Sequence, residues 1–155
     1  RRSIYPYRQT AGAALCRLVL RRIKREEGMN RVVVALGSNI EPAANIEKAK
    51  GILARDYYVV AESCFKTTKA VGQVPQANFI NGAILLEAEL DRAPLKTELR
   101  TIEAQLGRSE KHDHGAPRTI DLDIVLWNGT VVNQDFYERD YLKESVLELV
   151  PNLKY

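Results

Sequence analysis

Two hydrophobic periods alternate along the chain, and their order outlines a fold. Residues 31–36 read RVVVAL, a β-branched run suited to a buried strand. Gly37-Ser38-Asn39 interrupts it, and Pro42 suits the first turn of a helix. Residues 43–54 then carry Ile46, Ala49, Ile52 and Leu53 at helical spacing. Residues 57–65 (YYVVAESCF) predict a second strand, and residues 79–90 (FINGAILLEAEL) a third. Between them, residues 66–78 hold Gly72 and Pro75 without a clear period and read as a loop. Residues 94–106 place Leu95, Leu99, Ile102 and Leu106 on one helix face, with Gly107 as the stop. A charged loop over 108–117 leads to a fourth strand at 119–127, a small strand at 131–132 and a short helix at 141–149. The order β-α-β-β-α-β predicts an α+β, ferredoxin-like sandwich: an antiparallel sheet with two helices on one face, completed by the short C-terminal helix.

Charge changes the picture of the first thirty residues. The chain has 155 residues, 45% of them hydrophobic, and a formal net charge of +3. Residues 1–28 hold eight Arg/Lys against two Glu, a net of +6, while the remainder holds fifteen basic against eighteen acidic residues, a net of −3. Residues 13–27 suit a basic amphipathic helix with Leu15, Leu18, Val19 and Ile23 on one face. A targeting peptide, a membrane-surface or partner helix, and a non-catalytic extension ahead of Met29 are the competing readings, and the last is favoured. The expected division is a basic extension over 1–30 and one domain over 31–155. The acidic body lacks the basic surplus of a nucleic-acid binder and the aromatic pattern of an RNA-binding sheet. No apolar run approaches the roughly 20 residues that span a bilayer. Cys16 and Cys64 are too few for a disulfide framework and fit a reducing, cytoplasmic setting.

The segment richest in chemistry is residues 117–126, PRTIDLDIVL. Strand alternation turns Ile120, Leu122, Ile124 and Leu126 toward a core and Thr119, Asp121, Asp123 and Val125 the other way. Two carboxylates two residues apart on one face repel each other unless a cation lies between them. Magnesium suits the pair, since it takes one or two carboxylates and completes its shell with water and phosphate oxygens. Arg118, next to the pair, is a natural phosphate partner. An isolated Asp-x-Asp is more often a solvated strand face; its setting here makes it specific. Gly37 lacks the residues of a phosphate loop and reads as the turn out of the first strand.

PRTIDLDIVL resembles the signature segment of the 6-hydroxymethyl-7,8-dihydropterin pyrophosphokinases. ALGSN at residues 35–39 resembles that family's opening motif, and Phe79-Ile80-Asn81-Gly82-Ala83 its aromatic-x-Asn segment. Glu103 with Gly107-Arg108 is similar to its E-x-x-x-G-R helix end. The resemblance implies pyrophosphoryl transfer from ATP to the hydroxymethyl oxygen of the pterin, with two Mg2+ ions, in folate biosynthesis. It implies that Asp121 and Asp123 bind metal and that Arg108 and Arg118 contact the triphosphate as catalytic groups. Glu103, Lys111, Ile124 and Arg139 would border the nucleotide, with Lys111 in a mobile loop. Thr68, Val71, Phe79, Asn81 and Tyr141 would form the pterin pocket, the two aromatics as a stacking platform and Asn81 as a donor–acceptor pair.

Two features depart from the family pattern. The loop ahead of Pro117 reads His112-Asp113-His114-Gly115-Ala116 where an aromatic is usual. The Pro-His segment between the fourth strand and the last helix is also absent, Val132 running through Phe136 to Arg139 with no histidine after Trp127. A second reading rests on that absence: a paralogue that binds pterin or nucleotide as a regulatory module. Small molecules are the expected partners in either case, with a monomer favoured over an oligomer.

Overall fold

A computed structural model describes residues 28–70, 75–108 and 117–155. The helix expected at 13–27 lies outside the described residues. Chain order is β1 (Asn30–Ser38), α1 (Pro42–Asp56), β2 (Tyr58–Glu62), β3 (Lys66–Thr68), β4 (Phe79–Ala88), α2 (Arg92–Gln105), β5 (Asp121–Trp127), β6 (Thr130–Val131), α3 (Asp135–Glu138) and α4 (Asp140–Leu149). The sheet runs β2-β4-β1-β5-β6 with β3 also on β4, and every pairing is antiparallel. The central strand β1 pairs with β4 along its whole length, from Asn30 opposite Ala88 to Ser38 opposite Ile80.

Apolar burial explains why the middle of the sheet reads as continuous hydrophobic runs. One face, with Val32, Val34, Leu36, Ile84 and Leu86, packs on Ile46 and Leu53 of α1 and Leu95, Leu99 and Ile102 of α2. The other, with Val33, Ala83, Leu85 and Val125, packs on Phe136 of α3 and Leu142 and Val146 of α4. β1 and β4 are thus buried on both faces, which removes any polar alternation from their sequences. Among the described residues no helix is long and apolar enough to cross a membrane.

Several expectations are corrected. Lys66–Thr68 is a strand, not loop: β2 covers β4 only over Ile84–Glu87, and β3 takes over the pairing at Phe79–Asn81. The second strand ends at Glu62 rather than at 65. Leu126 does not share a face with Leu122. The β1–β5 register shifts so that Val33 meets Leu126 while Val34 meets Ile124. Val125 is the extra residue of a β-bulge, and both Val125 and Leu126 enter the second core. The small strand begins one residue early, at Thr130, because Asn128 (φ 49°) and Gly129 (φ 82°) close a two-residue hairpin with positive φ at both positions. Gly37 does not leave the strand. It pairs with Asn81 and Asp121, and the chain turns later, at Glu41 with φ 40°.

Candidate active site

The bulge leaves Asp121 and Asp123 on the face that carries the second core. At that end of the face Gly37, Asn81 and Asp121 stand in place of large apolar residues, so sheet and α4 do not close on each other. A cavity of about 420 Å³ opens there, lined by Thr68, Phe79, Asn81, Arg118, Asp121, Asp123, Asp135, Arg139 and Tyr141 among others. Phe79 reaches it from the sheet and Tyr141 from the helix packed above. Burial pushes the Tyr141 phenol above its ordinary pKa, against the pull of Arg139.

The helix end that precedes the site explains the spacing of its charged groups. Arg108 N–H donates to Glu103 C=O and Gly107 N–H to Ala104 C=O, both at 3.0 Å, with Gly107 at φ 92°. This Schellman closure folds the chain back so that residues five apart become neighbours. Arg108 Nη1 therefore lies 2.6 Å from Glu103 Oε1 and 2.5 Å from Asp121 Oδ1. Glu103 Oε1 also accepts the Leu122 N–H at 2.6 Å. β6 covers β5 only at Leu126 and Trp127, so this edge amide has no strand partner and the carboxylate supplies one.

Arg118 is placed from the other side. Its backbone N–H donates to Asn39 Oδ1 at 2.7 Å, and its C=O accepts the Asn39 N–H at 3.1 Å. Ser38 Oγ donates to Thr119 C=O at 2.6 Å. Asn39 Nδ2 also donates to Gln76 Oε1 and Ala77 C=O. The Ser38-Asn39 pair thus clamps the entry to β5 and the loop before β4. From this mount Arg118 Nη1 pairs with Asp121 Oδ2. Both oxygens of Asp121 are taken by guanidinium groups.

Two carboxylates are strained by their setting. Burial raises Glu103 to about 7, although the Leu122 amide and Arg108 favour its charge. Asp123 is raised by burial first and by the like charge of Asp121 second, with Asp135 adding to it. Asp123 exposes more than a third of its surface. Solvent reaches its carboxylate through the cavity that it lines. Burial disfavours the charge of Arg108, yet Asp121 and Glu103 hold it more firmly protonated than usual.

Of the residues anticipated, Thr68, Phe79, Asn81, Arg118, Asp121, Asp123, Arg139 and Tyr141 line one cavity. Glu103 and Arg108 stand against its acidic corner through Asp121. Ile124 is not brought to the cavity; it packs on the α1/α2 side of the sheet. Val71 and Lys111 lie outside the described residues, as do His112 and His114. Asp135 was missed. It lines the cavity and pairs with Arg139 Nε at 3.2 Å across one helical turn. Asn133, Lys69 and Gln76 were missed as well. The i,i+4 spacing of Asp135 and Arg139 was their one legible signal.

Residues 33–151 match the family model of 7,8-dihydro-6-hydroxymethylpterin-pyrophosphokinase (HPPK). The chain belongs to the HPPK family. It is 34% identical over 128 residues to the 2-amino-4-hydroxy-6-hydroxymethyldihydropteridine pyrophosphokinase of Methylorubrum extorquens, covering 79% of this chain and 80% of that one. The corresponding Helicobacter pylori enzyme is 31% identical over 116 residues, covering 72% and 71%. A folate synthesis bifunctional protein of Arabidopsis thaliana is 31% identical over 129 residues, which are 77% of this chain but 27% of that protein. All eleven described residues anticipated for the HPPK site fall within the matched span. The HPPK activity is pyrophosphoryl transfer to hydroxymethyldihydropterin in folate synthesis.

Proposed function

We propose that this chain performs the HPPK reaction in the cavity between β1, β4, β5 and α4, with ATP as donor and magnesium at Asp121 and Asp123. The pterin hydroxymethyl oxygen forms a bond to the β-phosphorus of ATP. The bond from that phosphorus to the oxygen bridging it to the α-phosphorus breaks, AMP leaves and the hydroxyl proton is released. The observation that carries the reading is the convergence of two carboxylates, two arginines and a platform of Phe79, Asn81 and Tyr141 on one opening.

The donor set suits magnesium. Two hard carboxylates share a strand face, and burial together with the neighbouring charge of Asp121 pushes Asp123 toward its proton-bound form. Among the described residues no group of three or more His, Cys, Asp or Glu stands ready to hold a metal. Phosphate oxygens and water would therefore complete the coordination of the two ions the family resemblance implies. Bound magnesium would neutralise phosphate charge as it shifts toward the leaving oxygen.

The chain's own groups do the positioning. Arg108 and Arg118, which share Asp121, present planar guanidinium groups suited to phosphate oxygens. Phe79 and Tyr141 offer ring faces to a flat heterocycle, and Asn81 offers a donor and an acceptor to its amide-like edge. Such catalysis rests on positioning and charge neutralisation more than on covalent chemistry. The test is turnover by Asp121→Ala and Asp123→Ala. Pterin-dependent ATP consumption falls by about 10²-fold or more in each with the fold kept; wild-type turnover in either variant refutes the metal assignment.

A further inference from the structure

The place of the Asn81 amide depends on a residue that has no side chain. Gly37 pairs with Asn81 on one side and with Asp121 on the other, so the three positions form a row across the cavity face. A Cβ on Gly37 would fall well inside contact distance of Asn81 Oδ1, 3.6 Å from Asn81 Cγ and 3.9 Å from Phe79 Cδ1. The amide thus lies over bare backbone. Its other end is held by Thr68, whose Oγ1 accepts from Asn81 Nδ2 at 2.6 Å. Gly37 is not among the glycines with positive φ, so its conformation does not call for glycine; the space above it does.

We propose that Gly37 is a substrate-positioning residue: the missing Cβ sets the orientation of the Asn81 amide and thereby the recognition of the pterin edge. The inference rests on the reading of the cavity as the pterin site. With one N–H committed to Thr68, Asn81 keeps its second N–H and its oxygen for a ligand, a donor and an acceptor side by side. That pair is useful only at one angle. A methyl group at Gly37 meets the far end of a side chain, so the fold accommodates it by turning the amide aside. The three atoms nearest to it all belong to Asn81 and Phe79 and none to the arginine–carboxylate corner.

The test is Gly37→Ala, with separate affinities for 6-hydroxymethyl-7,8-dihydropterin and for ATP, kcat, and the thermal midpoint. Pterin affinity falls about tenfold or more, as loss of a hydrogen-bonded pair requires. ATP affinity and the midpoint stay at wild-type values. In an Asn81→Ala background the same substitution has no further effect on pterin affinity. Thr68→Val releases the other end of the amide and gives the same selective loss, which keeps the test open if Gly37→Ala fails to fold. Unchanged pterin affinity, a parallel loss of ATP affinity, or an equal tenfold fall in the Asn81→Ala background overturns the role of Gly37. A wild-type protein that binds no pterin overturns the reading of the cavity and this inference with it.

Discussion

Replacing Glu103 by glutamine changes how stability responds to pH. The carboxylate is 6% exposed, accepts the Leu122 N–H and pairs with Arg108. Burial raises it from the ordinary 4.5 to about 7. A raised carboxylate holds its proton in the folded state after the unfolded chain has released it. Its contribution is therefore fully present below pH 4.5 and is lost as pH rises through about 7. At about 1.36 kcal/mol per unit, and discounted for Arg108 and for solvent in the cavity, the loss is on the order of 2 kcal/mol. The glutamine oxygen still accepts from Leu122, so the fold is kept while the titration disappears. Urea unfolding at pH 5 and pH 8 reads this directly: wild type loses on the order of 2 kcal/mol more than Glu103→Gln between the two. Glu103→Ala, which also orphans the Leu122 amide, costs about 1–3 kcal/mol at either pH. Identical pH dependence for wild type and Glu103→Gln would refute the argument that burial dominates this group.

Two other variants test neighbouring parts of the site. Asp123→Asn removes a charge that burial and Asp121 both oppose. Its thermal midpoint is expected above wild type at pH 8, with the gain vanishing as pH falls through the carboxylate range, while turnover is lost. Asn39→Ala strips the acceptor from Arg118 N–H and the donor to Gln76 and Ala77. It costs about 1–2 kcal/mol in urea unfolding and raises KM for ATP, because the mount of Arg118 loosens; an unchanged KM would mean that Arg118 is held by other contacts.

The four long strands and two long helices were legible because each repeats one hydrophobic period over enough residues to be read. β3 was not, since three residues carry no period and Lys66–Thr68 is a strand only because β4 extends past β2. The facing of Asp121 and Asp123 was legible from alternation, whereas the bulge at Val125 was not: local sequence does not mark it, and it appears only in the pairing with β1. The Glu103–Arg108 neighbourhood had a physical signal in Gly107, whose left-handed conformation closes the helix. Asp135 escaped because its place depends on α3 folding over the second core through Phe136, a contact between distant parts of the chain. The purpose of Gly37 escaped for a like reason, since the side chain that needs its space comes from β4.

The account is tested most directly by the nucleotide product formed from ATP and magnesium, with and without 6-hydroxymethyl-7,8-dihydropterin. It predicts AMP, released only when the pterin is present and in equal amount to pterin diphosphate. ADP as the product, or AMP released at the same rate without pterin, would contradict it.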